Sequence, residues 1–123
     1  MGNPRILLVE DEQLARNLAE RALARAKIQV VLAVDGQEGL RKFREEGPFD
    51  VVVTDLGMPV MDGPTMIEHI KGEDPGVKLV VLSAANTGAQ HAAAERLAQL
   101  GVRVFAKPCD YQALGVWIHE LSK

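Results

Sequence analysis

Five short apolar runs alternate with longer stretches of helical spacing, and this alternation limits the folds open to the chain. The runs cover residues 6–9, 28–34, 49–54, 77–82 and 102–106. The stretches between them place apolar residues three or four positions apart, which is the spacing of one helix face. Strands that alternate with helices through short loops pair in parallel, with right-handed crossovers and helices on both faces. The sequence therefore predicts a parallel sheet of five strands.

The predicted architecture is a doubly wound (βα)5 three-layer sandwich of the α/β class, with the sheet between two helical layers. Local patterns do not define the order of the strands. The flavodoxin-like order 2-1-3-4-5 is the common solution for five strands, and it is the order we expect. A chain of 123 residues suits one domain of this kind. We expect a single domain over residues 1–123, with no output domain in this chain.

The amphipathic spacing also predicts individual helices and their ends. In the first helix, Leu14, Leu18 and Ala22 recur every four residues and predict its apolar face. This helix is expected to continue to about Lys27. The fourth helix is expected to end at Gly101, because glycine is favoured just after the last turn of a helix.

Composition and charge exclude several classes of function. The formal net charge is -3 and the pI is near 5.6, so the chain lacks the basic surface that nucleic-acid binding requires. No apolar run approaches the roughly 20 residues of a membrane span. The single cysteine, Cys109, excludes an intramolecular disulfide and fits a reducing compartment. We therefore expect a soluble, cytoplasmic protein that binds neither nucleic acid by itself nor a membrane.

Polar side chains follow four of the five predicted strands, at the point where each strand ends. They are Glu10-Asp11, Asp55, Ser83 and Lys107. Each is a weak signal alone, since acid pairs cap helices and a loop aspartate often makes a turn. In open α/β sheets, however, ligands bind in the crevice beyond the carboxyl ends of the strands. The combination of carboxylates, a hydroxyl and an ammonium at that edge therefore predicts a functional site.

The side chains at this edge suit phosphoryl chemistry. Clustered carboxylates repel one another, and hard oxygen ligands of this kind suit Mg²⁺, which implies a divalent cation. With a metal bound, Asp55 can act as a nucleophile toward phosphorus. Lys107 can then neutralise charge on the transferring oxygens, and Ser83 can donate a hydrogen bond to them.

Four motifs give the chain a resemblance to a known family. They are ILLVEDE, which carries the acidic pair, VVVTDLGMPVMDG, which carries Asp55, LSAA, which carries Ser83, and FAKP, which carries Lys107. The combination is specific, and the sequence resembles a response-regulator receiver domain of two-component signalling over essentially its whole length. The resemblance implies a phosphorylation-dependent switch rather than an enzyme, with only slow self-phosphorylation and dephosphorylation.

The same resemblance implies roles for the residues at the predicted site. Asp55 would accept a phosphoryl group from the phosphohistidine of a histidine kinase, with Mg²⁺ as cofactor. Asp11 would bind the Mg²⁺ directly and Glu10 through water. Asp55 and the backbone carbonyl of Gly57 would be further ligands, and Lys107 would pair with the phosphoryl group.

The resemblance also bears on the response to phosphorylation. Ser83 would move toward the phosphoryl oxygens, and the bond between Lys107 and Pro108 can be cis, a state that X-Pro bonds adopt at modest cost. Receivers commonly carry Tyr or Phe three residues before the lysine, where this chain has Val104. Phe105 is not a natural substitute for that aromatic residue, because adjacent strand residues point to opposite faces.

The implied partners are a sensor histidine kinase or histidine phosphotransfer protein, and a downstream effector that binds the face of helix 4, strand 5 and helix 5. Two other functions stay open from the residues alone. An aspartate-nucleophile phosphohydrolase would use similar chemistry, but it typically has a second acid two residues after the nucleophile, where this chain has Gly57. A receiver-like interaction module that is never phosphorylated would not require all five polar residues together.

Overall fold

The computed structural model describes residues 3–55, 63–83, 95, 97–99, 101–106 and 110–121 of the chain. Within these ranges the strands are β1 (Arg5–Val9), β2 (Gln29–Ala33), β3 (Val51–Asp55), β4 (Lys78–Ser83) and β5 (Arg103–Ala106). They form a 5-stranded sheet in the order β2-β1-β3-β4-β5, and every neighbouring pair is parallel. The predicted strand order 2-1-3-4-5 is therefore confirmed.

Helical segments cover both faces of the sheet. They are α1 (Gln13–Arg25), α2 (Gly36–Glu46), α3 (Gly63–Glu73), α4, of which residues 95 and 97–99 are described, and α5 (Tyr111–Leu121). Alternate side chains of a strand point to opposite faces, so Leu7 and Val9 of β1 pack with α2, α3 and α4, while Ile6 and Leu8 pack with α1 and α5. The predicted three-layer sandwich is confirmed. Within the described ranges, none of the helices combines the length and the apolar character needed to cross a bilayer.

The buried face of α1 differs from the predicted one. Ala19 and Leu23 are fully buried, whereas Leu14 and Leu18 are 63% and 53% exposed. The helix packs closely against α5, since a Cβ added to Gly115 would lie 3.2 Å from the alanine side chain at the C-cap of α1. The small side chains at this contact permit the close approach of the two helices. The prediction was wrong because helical spacing favoured the row of Leu14, Leu18 and Ala22, whereas the neighbouring row that contains Ala19 and Leu23 is the one buried.

The end of α1 also falls earlier than predicted. Lys27 has a positive φ of 63° and donates its N–H to the carbonyl of Ala24, while the N–H of Ile28 donates to the carbonyl of Leu23. These two bonds form a Schellman motif, which normally places glycine where this chain has lysine. The same pair of bonds surrounds Gly101, whose φ is 86°, so the predicted end of the fourth helix is confirmed.

Side-chain contacts fix α2 at both ends. The carboxylate of Asp35 accepts from the N–H of Glu38, and the carboxylate of Glu38 accepts from the N–H of Val34, a pattern that favours the start of a helix. Near the other end, the guanidinium of Arg44 donates to the carboxylate of Glu73 in α3. This contact holds the pKa of Glu73 below its usual value, because it favours the charged carboxylate. It also links α2 to α3.

Gly39 lets α2 approach the end of β1 that leads into the predicted site. A Cβ at this position would lie 2.8 Å from the side chains of both Val9 and Met66. We expect Gly39→Ala to lower the free energy of unfolding by about 1–3 kcal/mol, because overpacking forces neighbouring groups to shift. Urea unfolding would measure the change.

The matched control for this substitution is Gly72→Ala in α3, where an added Cβ meets nothing within 4 Å. Helix propensity alone favours alanine over glycine by about 0.5–1 kcal/mol, so Gly72→Ala is expected to be neutral or stabilising. If both variants were equally stable, the close approach of α2 to β1 would not be a constraint on the fold.

Candidate functional site

The carboxyl ends of β1 and β3 bring three acidic residues to the same edge of the sheet. The two strands are neighbours, and Val9, the last residue of β1, lies opposite Thr54. Glu10 and Asp11 follow β1 directly, and Asp55 is the last residue of β3. Because the two strands run in the same direction, their acidic ends meet, as the sequence predicted.

The three carboxylates form one compact cluster. Single carboxylate oxygens of Glu10, Asp11 and Asp55 all lie within 4.8 Å of one another. Glu10 is 1% and Asp55 is 7% exposed, while Asp11 is exposed to solvent. Negative charges held this close repel one another, and burial removes the water that would screen them. A hard cation with oxygen ligands would relieve the repulsion, so this set of donors fits Mg²⁺.

Hydrogen bonds hold the loop that carries the first two acids. The N–H of Glu10 donates to the carbonyl of Ala33 at the end of β2, at 3.0 Å. Its carboxylate accepts from the N–H of Glu12 at 3.2 Å. One guanidinium nitrogen of Arg16 donates to the carbonyls of both Glu10 and Asp11, at 2.9 and 3.0 Å. The loop is thus tied to β2 on one side and to α1 on the other.

Arg16 is a residue of the site that the sequence reasoning missed. An arginine on the exposed part of an amphipathic helix is usually a solvated charge, and α1 carries several. Its short separation from Glu10 and Asp11 along the chain is the signal that could have identified it. Arg16 lies in the first turn of α1, from which a long side chain can reach back to the loop before the helix.

Ser83 brings a hydroxyl group to the same edge. It is the last residue of β4, and the residue before it, Leu82, lies opposite Asp55 in the neighbouring strand. Within the described part of the chain, its hydroxyl oxygen is buried and has no hydrogen-bond partner. A buried polar group left in this state costs about 1–3 kcal/mol. The hydroxyl is therefore suited to donate to an oxygen that a ligand brings.

Two predicted site residues, Lys107 and Gly57, lie outside the described residues, and so does the bond between Lys107 and Pro108. A cis X-Pro bond is present elsewhere, between Gly47 and Pro48. The roles predicted for Lys107 and Gly57 stay predictions.

Val104 and Phe105 of β5 point to opposite faces, as the sequence predicted. Val104 packs against the core on the side of α2, α3 and α4, and Phe105 against the core on the side of α1 and α5. The ring of Phe105 meets Trp117 of α5 edge-on, with centroids 6.0 Å apart. Phe105 therefore does not occupy the place of the aromatic residue that Val104 replaces.

A groove between α1 and α5 opens next to the acidic cluster. Its lining includes Glu10 and Glu12 from the loop, Ala15 and Leu18 from α1, and Tyr111 from α5. The side chain of Leu18 is 53% exposed there. Contiguous apolar surface rimmed by polar residues can form part of a surface that binds another protein.

The chain belongs to the family of the response regulator receiver domain, whose family model matches residues 6–118. It is 38% identical to the transcriptional regulatory protein PrrA of Mycobacterium bovis over 85 residues, which are 69% of this chain and 36% of PrrA. The chain spans about a third of the length of the first curated relatives it matches.

Two solved receiver domains show the same fold. A response regulator receiver domain protein from Clostridium thermocellum is 27% identical, with a TM-score of 0.86 over 96% of this chain and 93% of the other. The receiver domain of the hybrid histidine kinase CckA is 30% identical, with a TM-score of 0.78 over 97% of this chain and 99% of the other. Receiver domains of this family thus occur both in transcriptional regulators and in kinases.

Proposed function

We propose that the chain is a phosphorylation-dependent signalling switch in which Asp55 accepts a phosphoryl group. The observation that carries the proposal is the convergence of the Glu10, Asp11 and Asp55 carboxylates within 4.8 Å, beside a buried Ser83 hydroxyl that lacks a partner in the described part of the chain. A cluster of carboxylates beside a free hydroxyl donor suits a site that binds a cation and then receives a phosphoryl group. The family to which the chain belongs supports the same proposal.

The proposed residues divide the chemistry among them. Glu10, Asp11 and Asp55 would hold Mg²⁺, with the carbonyl of Gly57 as a predicted further ligand. When bound, Mg²⁺ neutralises charge on the phosphoryl oxygens. A carboxylate oxygen of Asp55 bonds to phosphorus as the bond from phosphorus to the donor's imidazole nitrogen breaks, and that nitrogen keeps the electron pair. Ser83 and Lys107 then hydrogen-bond to the phosphoryl oxygens.

The phosphoryl donor would be a histidine kinase or a histidine phosphotransfer protein that docks beside the acidic cluster. Leu14 and Leu18 of α1 are exposed, and the groove between α1 and α5 leads to Glu10. A donor that binds this apolar surface would bring its phosphohistidine close to Asp55. The exposed leucines, which have no place in the core, support this arrangement.

The output would leave through a second surface of the domain, which shares α5 with this groove. We propose that phosphorylation shifts a two-state equilibrium and changes the surface of α4, β5 and α5, which an effector protein then binds. In the described residues, Val116 of α5 is 63% exposed, and Trp117 connects α5 to Phe105 of β5. A cytoplasmic location, expected from the sequence, stays a prediction.

The mass of the intact protein after incubation with acetyl phosphate and Mg²⁺ tests this proposal. One added phosphoryl group is the expected result, and no adduct should form when the metal is chelated during the incubation. If neither an adduct nor released phosphate were found, the chain would be a receiver-like interaction module that is never phosphorylated. Rapid phosphate release without an adduct would instead favour an aspartate-nucleophile phosphohydrolase.

Lys107→Ala is expected to leave phosphorylation possible but to uncouple it from the response. A lysine acts on a phosphoryl group as a flexible point charge, so its loss would remove the proposed contact between the phosphoryl group and the residue that follows β5. The readout is fluorescence of Trp117, the only tryptophan of the chain. Acetyl phosphate should change this signal in the wild type and not in Lys107→Ala, although both form the adduct.

Lys78→Ala is the matched control, because Lys78 is exposed at the first residue of β4, at the opposite edge of the sheet. It should keep both the adduct and the fluorescence change. A full fluorescence response in Lys107→Ala would show that the lysine is not needed for the switch.

A further inference from the structure

Arg16 stands out because one of its guanidinium nitrogens bridges two consecutive carbonyls of the acidic loop. The nitrogen lies 2.9 Å from the carbonyl oxygen of Glu10 and 3.0 Å from that of Asp11. The side chain is half-buried, so the contact is partly protected from water. Hydrogen bonds with a charged donor are roughly twice as strong as neutral ones. The bridge therefore restrains the backbone that carries both acids.

Backbone restraint matters most for Asp11. Glu10 is buried, and its N–H and its carboxylate make further hydrogen bonds within the loop and to β2. Asp11 is exposed, so packing contributes little to the direction of its carboxylate. Rotation about the φ and ψ bonds of Asp11 would turn its side chain away from Asp55. Because Arg16 holds the carbonyls on both sides of Asp11 Cα, it opposes this rotation.

We infer that Arg16 is a positioning residue of the cation site, which holds the Asp11 carboxylate in the arrangement that binds Mg²⁺. This inference rests on the proposed function, since it assigns a role toward the same site. Arg16 does not touch the cation in this role, and it acts only through the loop backbone. Groups that orient metal ligands in this way typically change metal affinity by about 10–100-fold when they are removed.

Two effects of Arg16 on Mg²⁺ binding have opposite signs, which makes the inference testable. The positive charge of the guanidinium repels Mg²⁺, so a purely electrostatic role predicts tighter binding when the charge is removed. A role in stability alone predicts unchanged affinity in the folded protein. Only a positioning role predicts weaker binding after Arg16 is replaced by a neutral side chain.

The experiment is a calorimetric Mg²⁺ titration of the wild type and Arg16→Met without any phosphoryl donor, beside urea unfolding of both proteins in metal-free buffer. We expect the dissociation constant for Mg²⁺ to rise about tenfold in Arg16→Met. Arg25→Met is the matched control, because Arg25 carries the same charge on the last turn of α1. Its affinity should equal that of the wild type or exceed it slightly.

Unchanged or tighter binding in Arg16→Met would overturn the inference. Arg16→Lys keeps the charge but replaces the planar donor by a point donor on a different stem, and its affinity should fall between those of the wild type and Arg16→Met. Should Arg16→Met not fold, Arg16→Lys decides, since affinity equal to the wild type would then overturn the inference. Failure of the wild type itself to bind Mg²⁺ would instead contradict the proposed function.

Discussion

Replacing Asp55 by Asn is expected to abolish the phosphoryl adduct that acetyl phosphate and Mg²⁺ form on the wild type. The amide is nearly isosteric with the carboxylate, but it lacks the negative oxygen that attacks phosphorus. It also removes one carboxylate from the acidic cluster. The fold should persist, because the change relieves repulsion between buried charges instead of creating it. Intact-protein mass would show the adduct on the wild type and only background on Asp55→Asn.

Asp50→Asn is the matched control for this change. Asp50 is an exposed carboxylate immediately before the first residue of β3, so it lies at the opposite end of the same strand. Its replacement should leave the adduct unchanged. An adduct of equal size on Asp55→Asn would place the accepting group elsewhere and contradict the proposed function.

The strands and the class of the fold could be predicted because their signal is local. The last four residues of β1 and all of β3 are buried, and a strand that is buried on both faces has a continuous apolar sequence. Strand order is not local, since it depends on which apolar edges meet in space. The order 2-1-3-4-5 was expected only as the common solution for five strands, and the sheet confirms it.

The orientation of α1 could not be predicted from the same kind of pattern. Leu14 and Leu18 have helical spacing, but so do the alanines on the neighbouring face. Which row is buried depends on how closely α1 approaches α5, and Gly115 sets that distance. A pattern of hydrophobicity alone ranks leucine above alanine. Such a pattern therefore predicts the wrong face of the helix to be buried wherever close packing requires small side chains.

The acidic cluster was predictable because the sheet topology fixes it, whereas the contact of Arg16 with the acidic loop was not. Once β1 and β3 are parallel neighbours, the residues at their carboxyl ends must meet, and this brings Glu10 and Asp55 together. The role of Arg16 depends on one rotamer that reaches back to two carbonyls. Its place in the first turn of α1 makes Arg16 a candidate among the arginines of that helix. Only the structure shows that its side chain contacts the loop.

Asp11→Asn is expected to weaken Mg²⁺ binding strongly while leaving the fold intact. Asp11 is exposed, so the substitution removes no buried contact. A carboxylate attracts a unit charge 4 Å away by about 1 kcal/mol in water and about 4 kcal/mol near a protein surface. Loss of this attraction to a divalent ion should raise the dissociation constant by at least about tenfold. Calorimetric titration with Mg²⁺ would measure it.

Unfolding in urea gives a second readout, because the sign of the stability difference should depend on the metal. Without Mg²⁺, Asp11→Asn relieves repulsion from Glu10 and Asp55 and should be at least as stable as the wild type. With Mg²⁺, the wild type gains more stability than Asp11→Asn because it binds the ion more tightly, so the order of the two stabilities should reverse. Asp74 is an exposed acid between α3 and β4, and Asp74→Asn should gain as much stability from Mg²⁺ as the wild type gains. An equal gain in Asp11→Asn would show that the cation does not bind at the acidic cluster.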